Sequence, residues 1–408
     1  MRDRGHPFPS DTDTFLYSHN TPGEVSSSPL CRVHSVVLEG CALPNEVFKQ
    51  SRRVLTINPG STSTKIGIFN ETGAEFERTI FHSDRDLAPF RGLSALAQLD
   101  FRAACIADTL YREGWGRERF AAVAGRGGLL PPTDCGTYQV DDAMVEVLRV
   151  ARRGEHASNL GAVLALRFAQ ASGVNAYIVD PVTVNEWQPC ALLSGSPQIE
   201  RFAVGHVLNI KAVARRFARE RGRAYRDLRM IVVHMGSGIT VSAHRDGRMI
   251  DNNTPEEGPF GPDRTGSLPV RELVRHCMAS GLSQFQLDRQ VFGDGGLFAY
   301  LGTRDLREVE QRIEAGDELA AAVFDAMAYQ VAKEAGAMAA ALEGRVDAIL
   351  FTGGMAHSLR LVERLRGYLA WIAPIHLYPG EDELQALAEG VFRVLRGEEE
   401  PKRLQPER

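Results

Sequence analysis

No stretch of the sequence approaches the ~18–20 consecutive apolar residues that cross a bilayer, and the opening MRDRGHPFPSDTDTF has no secretory-type apolar core. No membrane partner is expected, and the cytoplasm is the expected location. The six cysteines (Cys31, Cys41, Cys105, Cys135, Cys190, Cys277) include no C-x-x-C pair and no Cys/His cluster at zinc spacing, so they read as reduced thiols. With 47 Lys+Arg against 52 Asp+Glu, there is no basic excess to neutralise a phosphate backbone, which argues against a nucleic-acid partner. Two nucleotide loops are also missing. G-x-x-x-x-G-K-[ST] does not occur, and GRGGLL, GSGITV and GDGGLF each lack the last glycine of G-x-G-x-x-G.

What is present is an ordinary globular composition, 44% hydrophobic and 24% charged over 408 residues. At roughly 100–200 residues per domain, two domains are expected, with a cleft between them. Residues 1–52, rich in Ser, Pro, Thr, Asn and His and without periodicity, read as a flexible extension. Order begins at RVLTI, a strand, followed by the hydroxyl-rich turn NPGSTST, the strand KIGIF, the turn NETG and the strand EFERTIF. About 176 residues later the pattern returns as MIVVH, MGSG, ITVSAH, RDG and RMID, so the chain looks internally duplicated. Helices are expected near 93–115, across 141–170, near 270–290 and 305–342, and from Glu383 to Leu395. Buried strands are expected at FAAVA, AYIVD, AILF and IHLY, the mix of an α/β protein.

A tight hairpin turn can offer backbone N–H groups and hydroxyls to anionic oxygens. Asn58, Gly60, Ser61, Thr62, Ser63, Thr64 and Lys65 have that character, as do His234, Gly236, Ser237 and Gly238, where small residues permit close approach to a ligand. A third glycine pair, Gly353 and Gly354, follows an apolar strand. One Gly/Ser turn is ordinarily structural; three in this order suggest two phosphate sites and a purine or ribose site.

The ordered string NPGSTSTK, AGRGG, EHASN, IVDPVTVNE, GHVLNIKAVAR, HMGSGITVSAHRDG, DNNTPEEGPFGPDRTGSLP, TGGMAHS and YPGEDELQALAEG resembles the butyrate kinase family, in the acetate kinase group of the actin, Hsp70 and sugar-kinase superfamily. The resemblance runs from about Arg53 to Arg396. It implies a two-domain, duplicated ribonuclease H-like (actin-like ATPase) fold with βββαβαβ cores. The implied lobes are 53–181, joined by a returning helix at 382–396, and 182–381, with a tail at 397–408. It further implies a homodimer or higher oligomer and reversible transfer of the ATP γ-phosphoryl to butyrate, with Mg²⁺. Kinases for acetate, propionate or isobutyrate, or a non-enzymatic ATP-binding switch, are the alternatives.

Within that resemblance, Arg264 in PDRTGS is expected to grip the transferred group or the carboxylate, because a guanidinium forks onto planar oxyanions. Arg126 in GRGG takes a similar role, although the acetate kinase pattern has histidine before the two glycines; a surface ion pair is its bland alternative. His206 matches a phosphoryl-stabilising histidine, though Gly205 stands where relatives usually carry an aromatic. His156 in EHASN matches a second histidine near the substrate. Asp180, at the tip of AYIVD, is expected to reach Mg²⁺ or orient the carboxylate, with a turn cap beside Pro181 as alternative. Glu381 is the second expected acid, Asp382 and Glu383 competing for its place. Asn58 is favoured as a phosphoryl contact and Lys65 reads as a solvated edge residue. Gly353 and Gly354 would let adenosine lie against backbone, beside Met355 and Ala356.

Overall fold

A computed structural model describes residues 52–405. The extension expected at 1–52 lies outside the described residues apart from Arg52, whose guanidinium pairs with Glu71 at 2.6 Å.

The first sheet contains β1 (Val54–Pro59), β2 (Ser63–Asn70), β3 (Gly73–Phe81), β4 (Ala122–Gly125), β5 (Thr137–Gln139) and β6 (Asn175–Val179), in the order β3-β2-β1-β4-β6-β5. β1, β2 and β3 form an antiparallel meander; β4 and β6 run parallel to β1, and β5 closes the edge antiparallel. Its helices are α1 (Asp84–Leu87), α2 (Leu99–Arg112), α3 (Asp142–Val150) and α4 (Asn159–Ser172). The second sheet repeats the plan: β7 (Met230–Met235), β8 (Ile239–Arg245) and β9 (Arg248–Asn252) form the meander, and β10 (Ala348–Gly353) and β11 (Ile375–Pro379) run parallel to β7. The order β11-β10-β7-β8-β9 makes the duplication seen in the sequence a topological one. With it go α5 (Val207–Glu220), α6 (Val270–Ala279), α7 (Gln284–Val291), α8 (Gly296–Leu301), α9 (Leu306–Glu314), α10 (Glu318–Ala341) and α11 (Leu359–Leu369), and α12 (Glu383–Leu395) follows last in the chain.

The parallel central strands are covered on both faces and so read as unbroken apolar runs. β7 and β10 are buried at every residue. Helix starts follow capping chemistry: Asp141 accepts from Met144 N, Asp317 from Ala320 N, and Ser358 from Leu361 N. α4 stops where Gly173 takes a left-handed conformation. The helical stretch expected at 93–115 begins later, at Leu99, after a short 3₁₀ turn at Ala95–Gln98. The 305–342 stretch breaks between Glu314 and Glu318, where Gly316 has φ +87°.

α12 lies on the first sheet although it follows the second in sequence. Leu384, Leu387, Ala388 and Val391 pack with Val54, Phe69, Ala122, Ala124 and Val179, joined by Leu208 of α5. Residues read as a tail from 397 continue this return: Gln139 N donates to Lys402 O, Lys402 N donates to Thr137 O, both at 2.8 Å, and Leu404 enters the first core.

Candidate active site

The turns singled out in the sequence are both hairpin tips. Between β1 and β2, Gly60 N donates to Ser63 O at 2.8 Å and leaves Ser61 and Thr62 exposed. Between β7 and β8, Gly236 N donates to Gly238 O at 3.0 Å, with Ser237 exposed at the tip. The small residues of the second turn make room for side chains. A Cβ on Gly236 would stand 2.8 Å from Glu381 Oε1, and one on Gly238 would stand 2.7 Å from Arg264 Nη1. Gly353 has φ +89°, and a Cβ there would sit 2.4 Å from Met235 O, so the end of β7 occupies its open side. Only Gly354, with nothing near its missing Cβ, offers the bare backbone expected of the pair.

Several candidate residues converge around these turns. His206 and His234 stack with centroids 4.1 Å apart and planes 16° apart. His206 Nδ1 contacts Thr240 Oγ1 at 2.9 Å; burial first, then His234, Arg264 and Arg126, hold its ring well below the usual histidine range. His234 is wholly buried, Nδ1 3.2 Å from Asn209 Oδ1 and Nε2 3.4 Å from Glu381 Oε1, where it lacks a well-directed hydrogen bond. Glu381 is held down to about 2, chiefly by His234, with Lys65 and Arg126 adding attraction.

Arg126 emerges from β4 with its side chain 7% exposed and Nη1 2.8 Å from Glu383 Oε1. The angle there is poor, leaving Nη1 buried without a proper hydrogen bond. Asn58 Nδ2 donates to the other Glu383 oxygen at 2.5 Å. Gly127 and Gly128 permit this placement: a Cβ on the first would meet Pro181 Cβ at 2.7 Å, and on the second Asn159 Oδ1 at 2.5 Å. His156 binds Ser158 Oγ through Nδ1 at 2.8 Å. Its outer edge is open to solvent, yet the protein around the ring lowers its basicity, and Arg264 and Arg126 lower it further. Asn58, Arg126, His156, His206, His234, Arg264 and Glu381 thus share one electrostatic neighbourhood, reached from both sheets.

Asp180 is the exception. It is fully buried, and its carboxylate accepts from Gly136 N at 2.8 Å and from Arg215 Nη1 at 2.7 Å. Burial pushes this acid up, but Arg215 and Lys211 outweigh it and the net shift is downward. The expected metal-facing carboxylate is instead turned to α5, because a guanidinium and an amide already take its two oxygens. Asn209, which also accepts from Thr352 Oγ1 at 3.0 Å, is a site residue the sequence reading missed; its one signal was its place in GHVLN.

The metal question rests on the carboxylates left. Among the described residues no three His, Cys, Asp or Glu side chains form a ligand set. Mg²⁺ commonly takes only one or two protein carboxylates beside phosphate oxygens and water, so Glu381 fits such an ion, whereas both oxygens of Glu383 are already engaged by Arg126 and Asn58. A cavity of about 260 Å³ opens beside them, bordered by Lys65, Glu77 and Asp382.

Residues 199–368 match the model of the Acetokinase family. The fold is similar to acetate kinase from Porphyromonas gingivalis, with TM-score 0.70 and 20% identity over 84% of this chain and 100% of that one. It is also similar to a propionate kinase from Francisella tularensis subsp. tularensis SCHU S4, with TM-score 0.67 and 19% identity over 83% and 98%. Acetate kinase from Entamoeba histolytica matches with TM-score 0.68 and 14% identity over 84% and 100%. Residues 199–368 therefore carry the sequence pattern of the Acetokinase family, on a described chain with two duplicated sheets in an actin-like ATPase fold.

Proposed function

We propose that the protein is a Mg²⁺-dependent carboxylate kinase that transfers the γ-phosphoryl of ATP reversibly to a short fatty acid, with butyrate as the expected acceptor. The observation that carries this reading is the meeting of Arg126, His156, His206 and Arg264 beside two hairpin turns, one from each lobe. Phosphoryl transfer requires in-line placement of two anions and neutralisation of the charge that spreads over the equatorial oxygens. Cations from both lobes at one point meet that requirement.

In the forward direction a carboxylate oxygen bonds to the γ-phosphorus as the bond to the β-phosphate bridging oxygen breaks, giving acyl phosphate and ADP. The acceptor is ionised at neutral pH, so no base has to remove a proton. That suits His206, which stays neutral and can only donate or accept a hydrogen bond there. Arg126 and Arg264 would clamp the carboxylate and the moving phosphoryl, with bidentate geometry favouring arginine over lysine. Glu381 would hold Mg²⁺, which supplies charge neutralisation on the phosphates. Closure of the lobes would exclude water and limit ATP hydrolysis.

The test is acyl phosphate trapping with hydroxylamine, using ATP, Mg²⁺ and a series of C2 to C6 acids including isobutyrate. A maximum at C4 is expected; one methylene changes discrimination by only ~10–200-fold, so neighbouring acids will react more slowly. A maximum at acetate or propionate would move the substrate and keep the reaction class. ATP turnover indifferent to every acid would leave a nucleotide-driven switch instead.

A further inference from the structure

Arg102 of α2 is among the largest side chains with no solvent exposure at all. A buried guanidinium is ordinarily matched by a carboxylate, since an uncompensated charge is costly away from water. Among the described residues Arg102 makes no ion pair; all its hydrogen bonds go to neutral acceptors. Nη2 donates to Ser61 O at 3.0 Å, and Nη1 donates to Ser63 O at 2.9 Å and Thr64 Oγ1 at 3.0 Å. Nε donates to Gln98 Oε1 at 2.9 Å, one turn earlier near the start of the helix.

Three of these four acceptors sit at the hairpin tip, Ser61 in the turn between β1 and β2 and Ser63 and Thr64 at the start of β2. His82 completes the cradle: its N–H donates to Thr62 O at 2.9 Å and its Nε2 meets Thr64 Oγ1 at 2.9 Å. The carbonyls of Ser61, Thr62 and Ser63 are therefore all tied, the first and third by Arg102 and the second by His82. In a trans peptide the carbonyl of one residue and the N–H of the next point in opposite directions. Thr62 N–H accordingly points away from Arg102, and Ser63 N–H away from the His82 N–H. The guanidinium remains charged at neutral pH, because burial lowers its pKa only to about 10.

We propose that Arg102 is a positioning residue of the phosphate site: it fixes the Gly60–Thr64 segment with the Thr62 amide outward and places an unpaired positive charge behind it, as counter-charge for the polyphosphate of a nucleotide. The proposal rests on reading that turn as phosphate-binding. An anion in front of the turn compensates the buried cation, so nucleotide binding and turn order reinforce each other.

The experiment compares Arg102→Met and Arg102→Lys with the exposed control Arg112→Met from the far end of α2, using calorimetric affinities for ATP and for adenosine, and KM for the acid. Arg102→Met should weaken ATP binding by about 10- to 100-fold, the scale of charge-assisted hydrogen bonds, while leaving adenosine affinity and KM for the acid within about twofold. Arg102→Lys should recover part of the ATP affinity, and Arg112→Met should match the parent protein. Equal loss of ATP and adenosine, or an unchanged ATP affinity in a folded Arg102→Met protein, overturns the proposal. If Arg102→Met does not fold, Arg102→Lys decides, because a lysine keeps the charge but not the fork: a loss confined to ATP supports the brace, and no loss overturns it. Calorimetry needs no turnover, so the kinase reading can fail in the trapping assay while the brace stands, and the reverse.

Discussion

Asn58 and Glu383 are 325 residues apart in sequence, yet the Asn58 amide donates to the Glu383 carboxylate at 2.5 Å. The contact joins the end of the first strand to the first turn of the last helix, and Arg126 touches the other oxygen of the same carboxylate at 2.8 Å. Glu383 thus ties the returning helix to both β1 and the residue that follows β4.

Replacing Glu383 by Gln keeps the shape and removes the charge that Arg126 faces. A fall in kcat of about 10²-fold is expected, with a much smaller change in melting temperature. Initial rates of acyl hydroxamate formation at saturating ATP check it; a rate within threefold of the parent protein would remove Glu383 from the reacting centre.

Gly238→Ala tests Arg264 without altering its charge. The new Cβ would stand 2.7 Å from Arg264 Nη1, so the guanidinium has to move. A shift of about 1 Å can cost about 10²-fold in rate, and Arg264→Ala should cost about 10²–10³-fold. Parallel kcat measurements on the two variants decide; a fast Gly238→Ala enzyme would show that the guanidinium sits elsewhere when substrate is bound.

Asp180→Asn bears on stability before rate, because the acid is fully buried against Arg215. Breaking a buried pair at one partner costs about 3–5 kcal/mol. Urea unfolding of Asp180→Asn, Arg215→Met and the double variant should show a double-variant loss well below the sum of the singles. Additive losses would mean that the pair is not coupled.

Glu334 provides a pH test. Burial, with Asp251 and Glu257 beside it, pushes its carboxyl up to about 7. In the unfolded chain it ionises near 4.5, so the preference of the fold for the protonated acid is fully present below that pH and is lost as pH rises through about 7. Glu334→Gln, which cannot ionise, should gain in melting temperature over the parent protein at pH 8 by more than at pH 5. An equal gain at both pH values would exclude the titration of Glu334 as the cause.

Strand alternation, turn residues and the apolar runs of buried parallel strands are local properties, and they made both meanders and their repetition legible before any coordinates. The same locality made Asn58, Arg126, His156, His206 and Arg264 recognisable as members of an ordered motif string. Long-range pairing was not legible. In a chain with 42 arginines, nothing local marks Arg102 and Arg126 as buried ones. The sequence by itself determined the element types, the internal duplication and the hydroxyl- and glycine-rich turns, because each is set by side-chain spacing over a few residues. Only the tertiary structure decided that Asp180 is spent on Arg215, that Glu383 rather than Asp382 meets Asn58, and that Arg102 braces the first turn. Which charges share a low-dielectric pocket depends on how α5, α12 and α2 pack on the sheets, and packing is a property of the whole chain.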